Sequence, residues 1–127
     1  MRDCSIQLTN HPGDLARVAQ ALARRGVNIK ALAGVTIGGA AQARILPDDI
    51  VAARAALEAA NIKFTEGEVH VVLLENKAGI LADVTGRLGE EGINLEAVYT
   101  TGITDDLVEL AIVSDNPKKA KKILDEF

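Results

Sequence analysis

Residues 8–32, LTNHPGDLARVAQALARRGVNIKAL, return 66 positions later as LENKAGILADVTGRLGEEGINLEAV, residues 74–98. Ten positions of this 25-residue window are identical: Leu8, Asn10, Gly13, Leu15, Ala16, Val18, Leu22, Gly26, Asn28 and Ala31 match Leu74, Asn76, Gly79, Leu81, Ala82, Val84, Leu88, Gly92, Asn94 and Ala97. Val27/Ile93, Ile29/Leu95 and Leu32/Val98 are similar in kind. Self-similarity at one fixed offset marks a tandem duplication, so one fold is written twice, over residues 1–66 and 67–127.

Each copy reads outward from that window. Cys4, Ile6 and Leu8 alternate with polar residues as in a half-buried strand, and Gly13 permits a sharp turn into Leu15, Val18, Ala19 and Leu22 at helical spacing. Gly26 sits where a helix ends on a left-handed residue, and Val27 to Ile37 alternate down a second strand to the Gly38-Gly39 hairpin. Gln42 to Leu46 form a third strand. Pro47-Asp48-Asp49, with Asp48 as N-cap, opens a helix faced by Ile50, Ala53 and Leu57, and Ile62 to Thr65 make a short fourth strand. The second copy repeats the order: Val69 to Leu74, a helix from Gly79 to Glu91, Ile93 to Thr101, Leu107 to Val113, and a helix opened by Asn116-Pro117. The sequence ends after that helix, so the second unit is expected to lack its last strand. Either a partner supplies that strand, or the edge at Val69 to Leu74 is covered in another way.

The order β-α-β-β-α-β with right-handed crossovers is the ferredoxin-like arrangement. The expected class is α+β: two such units in tandem, each an antiparallel sheet with its helices on one face. Units of ~60 residues bury too little surface to be secure alone, so the halves are expected to pack together and the chain to form a homodimer.

Composition narrows the function. The chain has 127 residues, 48% hydrophobic and 25% charged, as an ordinary globular domain has. Residues 1–66 hold eight Lys/Arg against six Asp/Glu, and residues 67–127 hold six against twelve, so the halves carry +2 and −6. The acidic total of −4 and 2% aromatic content argue against a nucleic-acid partner. Lys118, Lys119, Lys121 and Lys122 resemble a basic patch in isolation, but Lys121 and Lys122 stand four residues before Asp125 and Glu126, so the run reads as a solvated helix face. No apolar run nears the ~20 residues of a membrane helix, and no apolar leader follows Met1, so the expected location is the cytoplasm, with no membrane partner. One cysteine, Cys4, and two distant histidines, His11 and His70, supply no metal shell, and no cofactor is implied. Cys4 alternates inward and reads as a core residue.

Asn10-His11-Pro12-Gly13-Asp14-Leu15, a helix, and Gly26-Val27-Asn28-Ile29 together resemble the opening of an ACT domain, the small amino-acid-sensing module of many biosynthetic enzymes. Asn76-Lys77-Ala78-Gly79-Ile80-Leu81 with Gly92-Ile93-Asn94-Leu95 resembles it again, with Ala78 where that motif usually has proline. The most similar type is a stand-alone tandem ACT protein without a catalytic domain. The resemblance implies a non-catalytic regulatory protein that binds a small amino acid where ACT units meet and signals to a partner enzyme or regulator. It places ligand contacts at Asn10, His11, Pro12, Gly13, Asp14 and Leu15, at Asn76, Lys77, Ala78, Gly79, Ile80 and Leu81, and at Asn28 and Asn94.

The residues themselves support this chemistry. A glycine at a strand-to-helix turn lets a ligand approach backbone, and the helix start offers free N–H groups that suit a carboxylate. Other roles stand beside these. Both glycines serve the turn with or without a ligand, Asp14 suits the helix dipole, His11 suits a solvated loop, and Asn28 and Asn94 suit loop-tying bonds. The turns carry no arginine, no nucleophile beside a base, and no carboxylate pair repeated in both copies, since Asp14 becomes Ile80 and Arg17 becomes Asp83. Catalysis is therefore not expected. The competing function is a purely structural oligomerisation pair that acts only through protein contacts.

Overall fold

The computed structural model describes residues 1–127. The first unit runs β1 (Arg2–Leu8), α1 (Asp14–Arg24), β2 (Ile29–Ile37), β3 (Ala40–Pro47), α2 (Ile50–Ala59) and β4 (Thr65–Glu68). Its strands form one sheet in the order β2-β3-β1-β4. The second runs β5 (His70–Glu75), α3 (Ile80–Glu90), β6 (Leu95–Ile103), β7 (Leu107–Ser114) and α4 (Pro117–Leu124), with sheet order β5-β7-β6. Both sheets are antiparallel, with β3 paired to β1 and β2, and β7 paired to β5 and β6. These are two ferredoxin-like units, the second with three strands. The chain divides into Arg2–Gly67 and Glu68–Phe127 with Met1.

Each unit buries one apolar face of its sheet beneath its two helices. Cys4, Ile6 and Ile45 meet Val18, Leu22, Ala53 and Leu57 in the first core. Val72, Leu74 and Ile112 meet Val84, Leu88, Ala120 and Leu124 in the second. The helices exist because their apolar residues recur at i, i+4 and i+7 on the faces that the sheets cover. The repeat extends past the window visible in sequence, but its offset changes. Two residues, Gly38 and Gly39, separate β2 from β3, whereas three, Thr104 to Asp106, separate β6 from β7. Beyond the hairpins the partners therefore stand 67 apart: Ile45 and Ile112, Ala53 and Ala120, Leu57 and Leu124.

Three helices end alike. Gly26, Asn61 and Gly92 take left-handed backbone, with φ of 67°, 57° and 72°. The next residue then donates its N–H back five residues, Val27 to Leu22, Ile62 to Leu57 and Ile93 to Leu88. This corrects the expected fourth strand: Ile62 belongs to the cap of α2 and packs in the core, and β4 begins only at Thr65. The N-cap of α2 is also corrected. Asp49, not Asp48, accepts the Ala52 N–H at 3.1 Å, because the Asp48 carboxylate is held by the Asn28 N–H, also at 3.1 Å. Asn116 caps α4 as expected, accepting from Lys119 N–H, with Pro117 in the first turn.

Three ion pairs brace the first unit. Glu66 of β4 accepts from Arg54 of α2 at 2.7 and 2.9 Å and from Arg2 of β1 at 2.8 Å. Arg44 of β3 donates to Asp3 of β1 at 2.7 Å, and Asp3 is fully buried.

Candidate functional site

The two strand-to-helix turns have the same backbone. Gly13 and Gly79 are the N-caps of α1 and α3, with φ of 89° and 88°, and neither helix start receives a side-chain cap. In α1 the Asp14 N–H reaches His11 and the Arg17 N–H reaches Gly13, which leaves the Leu15 and Ala16 amides without an acceptor. In α3 the Ile80 and Asp83 amides are used in the same way, and Leu81 and Ala82 are left. By contrast, α2 and α4 each receive a side-chain cap, Asp49 accepting from the Ala52 N–H and Asn116 from the Lys119 N–H. At the two glycine turns the positive end of the helix dipole thus carries two amides each with no acceptor from the chain and no capping side chain.

The side chains around the two turns differ. Asp14 lies at the centre of the first: its carboxylate accepts from the Thr9 N–H at 2.8 Å, from the Thr9 hydroxyl, and from the His11 N–H at 3.3 Å. The Thr9 hydroxyl bond, helped by the His11 amide, holds this carboxyl below the usual aspartate range. The His11 ring lies 3.0 Å from the Thr9 hydroxyl through Nδ1, and Asn10 takes left-handed backbone with φ 58°. Thr9 was not singled out in the sequence, although a hydroxyl five residues ahead of an acidic helix start is a readable signal for such a loop.

In the second turn Ile80 replaces the aspartate, and the hairpin between β6 and β7 does the tying. Asn76 donates through Nδ2 to the Thr104 carbonyl and through its backbone to the Asp106 carbonyl, both at 2.8 Å. Lys77 stands exposed, 3.3 Å from Glu75. Pro12, Ala78, Leu15 and Leu81 are exposed at their turns.

Asn28 and Asn94 are not brought to these turns within their own units. Each follows the far end of an 11-residue helix, about 16 Å along the axis from the glycine. Their backbones serve structure, exchanging bonds with Asp48 and Asp115.

Elsewhere the chain offers little for chemistry. Two open hollows, of about 540 and 370 Å³, lie beside Glu58 and Phe64 and beside Gln7 and Ile37, away from both turns. No three His, Cys, Asp or Glu side chains stand together as a metal shell. Cys4 is buried, and desolvation pushes its thiol up to about 11, which leaves it un-ionised at neutral pH. On α4, Lys121 pairs with Asp125 at 2.7 Å, but the expected Lys122–Glu126 pair does not form, because Glu126 is taken by Arg87 of α3 at 2.6 Å. No helix is long and apolar enough to cross a membrane.

Comparison with known proteins agrees with this fold. Residues 71–127 match the family model described as ACT domain, and residues 5–59 match that described as AHAS small subunit-like ACT domain. No curated protein matches the sequence. Among solved structures, a protein from Bacteroides thetaiotaomicron is 27% identical, covers 98% of this chain and 86% of its own, and superposes with a TM-score of 0.86. The regulatory subunit of aspartate kinase from Thermus thermophilus is 20% identical over 98% of this chain and 89% of its own, with a TM-score of 0.70. The corresponding subunit from Thermus flavus is 19% identical over 97% and 86%, with a TM-score of 0.69.

Proposed function

The chain consists of two ACT-type domains in tandem and so belongs to the ACT family, and from that premise we propose that it is a non-catalytic regulatory protein whose glycine turns bind the carboxylate of a small amino acid. The observation that carries this reading is the contrast in capping. Two helices of the four receive a side-chain cap, and the two that begin at Gly13 and Gly79 receive none, at the same place in both copies. The regulatory aspartate kinase subunits among the structural neighbours fit a regulatory role.

The two turns are not equal candidates. Asp14 sets a negative charge at the first helix start and is already bonded there, whereas the second start has Ile80 at that position and Lys77 nearby. A carboxylate is therefore favoured at Asn76–Leu81, and the first turn is the weaker site. Neither turn is enclosed by its own unit. Asn28 and Asn94 reach a bound amino acid only from another ACT unit, so ligand binding is coupled to how units meet. That coupling is what signalling to a partner enzyme or regulator requires, since a ligand shifts an equilibrium only when it binds one state better.

A thermal-shift screen against the twenty amino acids at millimolar concentration tests the proposal. A ligand that binds only the folded protein stabilises it by RT ln(1 + [L]/Kd), about 2.7 kcal/mol at a hundred times Kd. The expected result is a shift with one or two chemically related amino acids, lost in Gly79→Val and reduced less in Gly13→Val, with circular dichroism nearly unchanged. Silence across the set would overturn ligand binding and leave the structural oligomerisation reading.

A further inference from the structure

In the first unit β1 has β4 along its outer side, but β5, which takes the place of β1 in the second unit, pairs only with β7. Asn76 donates its N–H to the Asp106 carbonyl on the β7 side, whereas Val69 donates to the Met1 carbonyl on the other, both at 2.8 Å. With a period of two along the strand, the N–H and C=O groups of Val71 and Leu73 point away from β7, where no strand of the sheet pairs with them. Sheet edges that stay bare are kept short, charged or bent. β4 has four residues, two of them glutamate, and β2 and β6 both carry register shifts against their partners. β5 has six residues in unbroken register with β7, His70-Val71-Val72-Leu73-Leu74-Glu75, with no proline, glycine or lysine. It is an edge fit to be paired.

The repeat specifies the occupant. At the 67-residue offset Arg54 of α2 corresponds to Lys121 of α4, and Glu58 to Asp125. Arg54 passes over Glu58, four residues on, and pairs with Glu66 of the covering strand at 2.7 Å. Lys121 has no such strand beside it and pairs instead with its own Asp125 at 2.7 Å, both side chains being more than half exposed. A hollow of about 170 Å³ opens there, bordered by His70, Ser114, Ala120 and Lys121. An exposed pair of this kind holds little energy, so Lys121 exchanges one carboxylate for another at small cost. Phe64, two residues before Glu66, packs against the first core. A segment that covers β5 as β4 covers β1 therefore brings an acidic residue to Lys121 and a large apolar residue two positions before it. The β5 of a second copy does not fit this pattern, because its helix side carries His70, Val72 and Leu74 and no carboxylate.

We propose that the open edge of β5 docks an extended segment of a partner protein, with an acidic residue that pairs with Lys121 and a large apolar residue two positions before it. The main-chain groups of Val71 and Leu73 supply affinity, and the Lys121 head and the hollow beside it select the sequence. On docking, Lys121 leaves Asp125 for the incoming carboxylate, as Arg54 leaves Glu58 for Glu66. The inference rests on the edge and on the repeat, and it stands whether or not the glycine turns bind an amino acid.

A titration followed by backbone-amide NMR of the full chain tests it, with a synthetic peptide of sequence IKFTEGE, that of residues 62–68, as the probe. At millimolar peptide the expected result is saturable shifts along β5 and at Lys121, with slowed solvent exchange of the Val71 and Leu73 amides. Lys121→Ala, and separately a peptide with glutamine in the place of Glu66, should each weaken binding about fivefold. The two changes together should weaken it no more than either alone, since both remove one pair. Val71→Pro deletes an edge N–H without touching the β7 ladder and should abolish binding. Lys121→Glu with a peptide carrying lysine in the place of Glu66 should recover the affinity, and it decides the matter if the proline variant fails to fold. Absence of saturable shifts, shifts centred away from β5, binding that survives Val71→Pro, or binding indifferent to both Lys121 and the peptide glutamate would overturn the assignment. So would Val71 and Leu73 amides already protected in the peptide-free protein, which is how a second copy or the chain itself on that edge would leave them.

Discussion

The carboxylate of Asp48 accepts the backbone N–H of Asn28 at 3.1 Å, while the Asp48 N–H returns to the Asn28 carbonyl at 3.0 Å. Asp115 and Asn94 make the same exchange, at 3.0 Å in each direction. This latch fixes the chain entering β2 or β6 to the end of β3 or β7, and it occupies the aspartate that the sequence otherwise offers as a helix cap. Asp48→Ala and Asp115→Ala should each cost about 1 kcal/mol, the net worth of such a bond, read as a shift in the midpoint of urea unfolding.

The true caps give a second expectation. Asp49→Ala and Asn116→Ala each remove the acceptor of one first-turn amide, and each should lower stability by about 1 kcal/mol. Equivalent losses in chemical denaturation would support the 67-residue offset that relates these two positions.

Glu66 makes stability depend on acid. The Arg54 guanidinium, with Arg2 beside it, holds its carboxyl down at about 2 from an ordinary value of 4.5. A folded-state value below the unfolded one means the contribution is complete above pH 4.5 and is lost as pH falls toward 2. The stability gap between the wild type and Glu66→Gln should therefore be widest near neutral pH and close in that acidic window. A gap independent of pH would contradict the ion pairing.

Asp3 and Arg44 predict a larger effect. The Asp3 side chain is wholly buried and Arg44 donates to it at 2.7 Å, so Arg44→Ala removes the cation paired with a buried carboxylate at a cost of about 3 kcal/mol. Arg44→Lys should recover only part of this, because an ammonium does not reproduce the guanidinium fork. Thermal unfolding of the two variants side by side makes the comparison.

Gly86 lies within α3 with open space where a Cβ would go and without a left-handed φ. Gly86→Ala should stabilise the fold by about 0.5 to 1 kcal/mol, since alanine loses less backbone freedom in a helix. Calorimetry reads this directly, and a loss of stability would mean that the position is crowded.

Much of this molecule is legible in one dimension. The 66-residue repeat, the alternation in β1 and the helical spacing of Val18 and Leu22 gave the element order, and the glycine turns stood out because they recur. What escaped was carried by single residues whose partners lie elsewhere in the chain. Asp48 and Asp49 are equal as caps in sequence, and only the approach of Asn28, twenty positions away, takes one of them. Ile62 looks like strand until Asn61 turns left-handed and folds it back onto Leu57. Glu126 has Lys122 at helical spacing, yet Arg87, 39 positions back, reaches it first.

The sequence by itself determined the duplication, the ferredoxin-like order of both units and the glycine that opens α1 and α3, because these depend on local periodicity and on the residue type that adopts positive φ at least cost. The tertiary structure alone decided which amides at those turns remain free, that Asp14 fills one turn while the β6–β7 hairpin braces the other, and that β2 and β6 lie at the rims of their sheets. Each of these follows from which distant groups come within hydrogen-bonding reach when the chain closes on itself, and spacing along the chain does not encode that distance.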